Sequence, residues 1–133
     1  MTVQKGTEQN ANVARETVRA VEGERMWVLL NHVKADKWEQ HEHFVHDVLM
    51  PAVRKVDPSA LRHTRFLRPA EKNEDGTYTS VFLMDPLVED ADYDIQSLLI
   101  KAYGEDKADE YIQLWGESLA SPQVCYDLFQ SSW

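Results

Sequence analysis

Residues 26–34, MWVLLNHVK, followed after Ala35 by residues 36–56, DKWEQHEHFVHDVLMPAVRKV, decide how this chain is built. In the first run Trp27, Leu29, Asn31 and Val33 fall on one face of an extended segment and Val28, Leu30 and His32 on the other, because successive strand side chains point to opposite sides. Both faces are apolar until Asn31 and His32, the pattern of a central strand covered on both sides whose far end carries two polar groups. In the second run Trp38, His41, Val45, Val48, Leu49, Ala52 and Val56 recur at three- and four-residue spacing and form one stripe of an α-helix. Asp36 is the expected N-cap of that helix, and Pro51 is expected to kink it unless the helix restarts there. His41 sits inside the apolar stripe, so a titratable ring is aimed at the core.

Working outward, residues 1–24 read as a polar N-terminal arm, loose or laid on a neighbouring subunit, with a short helix expected after Asn12. Residues 25–133 read as a single domain. Asp57-Pro58 is expected to end the long helix. Residues 61–69, LRHTRFLRP, alternate as a strand, EKNEDG forms a turn, and residues 77–84, TYTSVFLM, return as the second arm of a hairpin. Residues 93–103 and 105–119 carry helical stripes separated at Gly104, and QVCYDLFQSSW, from residue 123, reads as the last strand. The order is β-α-β-β-α-β, an α+β class in which an antiparallel sheet carries its helices on one face, the ferredoxin-like arrangement. With the first, third and last strands apolar on both sides, the second sheet face calls for a partner sheet, and a homodimer is expected.

The 133 residues suffice for one domain, and the 43% hydrophobic and 28% charged residues are ordinary for a globular chain. A net charge of −9 argues against nucleic acid and against an anionic membrane surface as partners. The partners expected are a small molecule and a second copy of the chain. The single cysteine, Cys125, excludes an internal disulfide and a cysteine-rich zinc site, and is expected to be a small buried residue. The N-terminal stretch has no continuous apolar run, so a cytoplasmic location is expected.

With its strand ending in Asn31-His32 and its long helix opening at Trp38, the segment from Arg25 to Trp133 resembles the dimeric α/β-barrel superfamily. That superfamily includes antibiotic-biosynthesis monooxygenases without a cofactor, haem-degrading monooxygenases and polyketide cyclases. The resemblance is one of element order. It implies a pocket between sheet and helices, an asparagine near the end of the first strand, here Asn31, and a tryptophan in the second helical region, here Trp115. The haem-degrading members also carry a histidine ligand further along, whereas no histidine of this chain follows His63. The resemblance therefore implies a small cofactor-independent enzyme, of monooxygenase, isomerase or cyclase type, acting on a small apolar or aromatic substrate. The alternative is a non-catalytic ligand-binding or structural dimeric module.

From the residues themselves, His41 is the candidate general acid/base, because imidazole titrates near neutrality and burial tunes it. Its competing reading is a core histidine whose ring nitrogens are satisfied by neighbouring groups. Asn31 is the candidate polar catalytic partner. Trp38, His32, His63, Arg65, Trp115 and Tyr126 are candidates for holding the substrate, as aromatic walls or, for His63 and Arg65, as a carboxylate or enolate site. His43, His46 and Asp47 crowd one exposed helical turn without the spacing of a zinc motif, so neither metal nor other cofactor is expected.

Overall fold

The computed structural model describes residues 19–133. The short N-terminal helix expected after Asn12 begins outside the described residues. The elements are β1 (Arg25–Val33), α1 (Trp38–Phe44), a π-helical turn (Val45–Leu49), α2 (Met50–Val56), α3 (Pro58–Arg62), β2 (Thr64–Leu67), β3 (Tyr78–Met84), α4 (Ile95–Tyr103), α5 (Glu105–Ser118) and β4 (Val124–Phe129). The sheet runs β2-β3-β1-β4, with every neighbouring pair antiparallel. This is the ferredoxin-like topology, with β1 and β3 in the centre as their apolar runs predict.

Along β1 the side chains of Leu29, Asn31 and Val33 are buried and those between them are not. The buried face therefore meets the helices. Phe44, Val45, Val48, Leu49 and Ala52 pack onto it together with Phe82, Leu99 and Trp115. The other sheet face holds Val28 and Leu30 opposite Tyr126 and Val124 on one side, and opposite Leu83 and Val81 on the other. Tyr126, Leu128 and Val124 are exposed there.

Two local expectations are corrected, the cap at Asp36 and the strand start at Leu61. A 3-10 turn, Ala35–Lys37, opens the first helical segment, and no side chain caps it, so Asp36 is not an N-cap. Pro51 falls in the first turn of α2, where the helix restarts just after the π-helical turn, one of the two outcomes expected of it. Asp57-Pro58 ends α2 at Val56, as expected, and also opens a further short helix. The Asp57 carboxylate accepts from the Ala60 N–H and Pro58 occupies the first turn of α3. β2 is consequently shorter than the expected run from Leu61, and His63 lies at the end of α3 instead of in a strand.

Gly104, at φ +88°, separates α4 from α5 in a conformation that side chains with a Cβ avoid. Residues just before β1 are docked on the domain: Ala20 is buried, its N–H donates to the Asp85 carboxylate, and Gly23 and Glu24 exchange backbone bonds with Gln130. Asp85 is buried and also receives Arg65, at 2.6 Å.

Candidate functional site

His41 is fully buried, on the face of α1 that meets the sheet. Its Nδ1 lies 3.1 Å from Ser118 Oγ, at the end of α5, and its Nε2 lies 2.8 Å from Ser80 Oγ, on β3. Ser80 is opposite Asn31 in the β1–β3 register, and Asn31 Nδ2 donates to Ser80 Oγ at 3.0 Å. Gln123, just before β4, donates from Nε2 to Asn31 Oδ1 at 2.8 Å. The Trp115 ring stacks on the imidazole, with centroids 5.2 Å apart, and Trp38 packs on it at 5.5 Å. Five residues from β1, α1, β3, α5 and the approach to β4 thus form one polar chain, buried except at the half-exposed Gln123, inside an aromatic surround.

The direction of every hydrogen in that chain follows from one group that can only accept. Ser118 Oγ donates to the Trp115 backbone carbonyl at 2.7 Å, so toward His41 it has only lone pairs to offer. His41 Nδ1 must then carry the proton. Burial lowers the His41 pKa from 6.5 to about 4, against a small opposing effect of Glu42, so the ring is neutral near pH 7 and Nε2 is bare. Ser80 gives its hydroxyl hydrogen to Nε2 and takes one from Asn31 Nδ2, which leaves Asn31 Oδ1 to accept from Gln123. Both amide orientations are set by the network itself.

A cavity that this chain reaches through Gln123 lies between the sheet and α2, α3 and α4, with a volume of about 50 Å³. Its wall is mostly apolar, with Leu29, Leu49, Met50, Val53, Phe82 and Leu98 contributing from both layers. Thr64, Asp92, Tyr93 and Gln123 supply its polar groups. Burial works to raise the Asp92 carboxyl, but hydrogen bonds from Ser97 and Lys101 outweigh it and hold Asp92 below the usual carboxylate range. Burial pushes the Tyr93 phenol up, and its oxygen accepts from the Val88 N–H at 3.0 Å.

The structure brings His41, Asn31, Trp115 and Trp38 together, as the sequence suggested, but none of them lines the cavity. The other four candidates lie elsewhere. His32 pairs with Thr79 on the sheet face away from His41, Tyr126 is exposed on that same face, and Arg65 is spent on Asp85. The backbone carbonyl of His63 accepts from Asp85 N–H, while its buried Nδ1 has no hydrogen-bond partner among the described residues. Cys125, expected inside, is exposed on the edge strand β4. Every residue of that strand is exposed.

Three members of the network, Ser80, Ser118 and Gln123, were missed by sequence reasoning. Ser80 alone left a trace: it shares the alternating face of Phe82 and Met84, so a hydroxyl interrupts an otherwise apolar inward row. His43 pairs with Asp47 at 2.7 Å on the exposed side of the helix, and among the described residues no group of three or more His, Cys, Asp or Glu side chains is placed to hold a metal ion.

No family model matches the chain, and no curated protein matches it. Among solved structures it is similar to one from Caulobacter crescentus described as a candidate antibiotic biosynthesis monooxygenase, at 18% identity and a TM-score of 0.45, over 84% of this chain and 92% of that one. No helix among the described residues is long and apolar enough to cross a membrane.

Proposed function

We propose that the chain binds a small, largely apolar molecule in the cavity between its sheet and its helices, acting in the cytoplasm as a homodimer closed over the open sheet face. The observation that carries this reading is the composition of the wall: apolar side chains from both layers surround a few polar groups, one of which, Gln123, is held by the buried chain that runs back to His41. Ligand sites are concave and mostly apolar, with a small number of placed polar groups. The cavity is about 50 Å³, whereas an engineered cavity of roughly 150 Å³ holds benzene. Seating a ring therefore requires side chains to move, and Met50, unbranched and adaptable, is the wall residue suited to it.

A cofactor-independent monooxygenase, isomerase or cyclase would use the same cavity. In that form His41 and Asn31 act on Gln123 and not on the substrate, since both are sealed away from the cavity by the core. Methyl-resolved NMR titration with phenol and with fluorobenzene tests the shared reading. Shifts are expected at Leu29, Leu49 and Leu98, and Val53→Phe, which adds bulk from a half-buried wall position, should abolish them. Absence of shifts with both probes would overturn it. Incubation of an oxidisable phenol with the protein and oxygen, read by mass spectrometry for a gain of one oxygen atom with loss of two hydrogens, the second oxygen atom leaving as water, separates a monooxygenase from a binding protein.

A further inference from the structure

The polar groups of the cavity wall are unequal in what they offer. Thr64 spends its hydroxyl hydrogen on the Ala60 carbonyl at 2.8 Å, so it presents lone pairs. Asp92 is a carboxylate, an acceptor only, and already takes hydrogens from Ser97 and Lys101. Gln123 has committed one N–H to Asn31, and the sense of that bond cannot reverse. Turning the carboxamide over would set its oxygen against Asn31 Oδ1, and Asn31 cannot turn because its nitrogen is needed at Ser80, whose own hydrogen belongs to His41. Gln123 is left with a carbonyl oxygen that has no hydrogen-bond partner among the described residues. Among the side chains of the wall, the donors facing these acceptors are the Tyr93 phenolic hydrogen and the second Gln123 N–H.

We infer that Gln123 selects the occupant of the cavity: the molecule bound there carries a hydrogen-bond donor, a hydroxyl or an N–H, on an otherwise apolar body, and gives it to Gln123 Oε1. This rests on the cavity being a binding site, as proposed above. Gln123 is a specificity-determining residue, and His41 is a positioning residue that fixes its sense from across the core through Ser80 and Asn31. A ligand without a donor that displaces water from Gln123 Oε1 leaves that oxygen without a partner, a cost that a ligand carrying a donor avoids.

Phenol and fluorobenzene are close in shape and differ in the donor, so their relative affinities test the inference in the full chain. Wild type is expected to bind phenol about tenfold more tightly than fluorobenzene. Gln123→Met, of similar length and without the carboxamide, should bring the two affinities together, while Thr64→Val should keep most of the preference. Gln123→Ala serves as a second variant, with a native-like amide NMR spectrum as the check on folding. Equal affinities in wild type, a preference for fluorobenzene, or a phenol preference that survives in both Gln123 variants overturns the inference and leaves the cavity reading standing. Failure of both probes to bind wild type overturns the cavity reading and the inference with it.

Discussion

Ser80 Oγ lies 2.8 Å from His41 Nε2, although the two residues are 39 apart in the chain. The contact joins the central sheet to the first helix by a hydroxyl that has one hydrogen to give and, on its other side, one to receive. Because Ser118 can only accept at Nδ1, the partner of Ser80 is a neutral ring protonated on Nδ1.

Imidazole nitrogen NMR at pH 7 checks this directly. His41 is expected as the Nδ1–H tautomer, with Nε2 showing the shift of an unprotonated nitrogen, and the surface residues His43 and His46 provide the comparison. An Nε2–H tautomer, or a charged ring, would contradict the direction of the whole chain.

Stability should fall with acid over a defined interval. The folded pKa of His41 is lowered to about 4 from an ordinary 6.5, so the unfolded chain binds the proton more readily than the native one. The contribution is complete above pH 6.5, is lost as pH falls from there toward 4, and is level below. The loss is on the order of 3 kcal/mol across that interval. Urea unfolding at a series of pH values should show this slope in wild type and lack it in His41→Leu.

His41→Leu itself should be destabilising at pH 7. It leaves the Ser80 hydroxyl hydrogen buried without an acceptor, a cost of about 1–3 kcal/mol. The same change made in a Ser80→Ala background should cost less, with a coupling of roughly 0.5–3 kcal/mol in a double-mutant cycle. Additive costs would mean that the two side chains do not act on one another.

Asp85 ties the residues before β1 to the domain. Arg65, with a half-exposed side chain, is rehydrated easily if its partner is lost, but the buried Ala20 N–H is not. Asp85→Ala is therefore expected to cost about 1–3 kcal/mol, dominated by the orphaned backbone donor rather than by the ion pair. Equilibrium denaturation measures it; a change below a few tenths would show that Ala20 finds another acceptor.

The open sheet face predicts a dimer. Val28, Leu30, Val81 and Leu83 form an apolar centre and Tyr126 and Leu128 lie exposed beside it, a surface that a two-fold axis can bury against its own copy. Light scattering after size exclusion should give a dimer at micromolar concentration, and Tyr126→Glu with Leu128→Lys should give a monomer that keeps its fold. A wild-type monomer would refute it.

How much of this was legible in the chain differs from place to place. The central strand and the buried stripe of the first helix could be read because each is a periodic row of apolar side chains, and periodicity is a local property. The element order, and from it the ferredoxin-like sheet, followed from those rows and the turns between them. Residues 61–63 were misread as strand because the alternation of Leu61, His63, Arg65 and Leu67 competes with a cap made by Asp57 and Pro58, and the hydrogen bond to Ala60 won. That His41 points inward was visible in the stripe. What it meets there was not, because Ser80, Ser118 and Gln123 carry no common spacing and are brought together only by the β1–β3 register, the end of α5 and the entry to β4. Which nitrogen holds the proton, and which side of Gln123 faces outward, depend on a backbone carbonyl at Trp115 that any residue could have supplied. Side-chain identity placed a titratable ring in the core; only the three-dimensional arrangement of donors and acceptors around it decided its protonation and the sense of the chain it anchors.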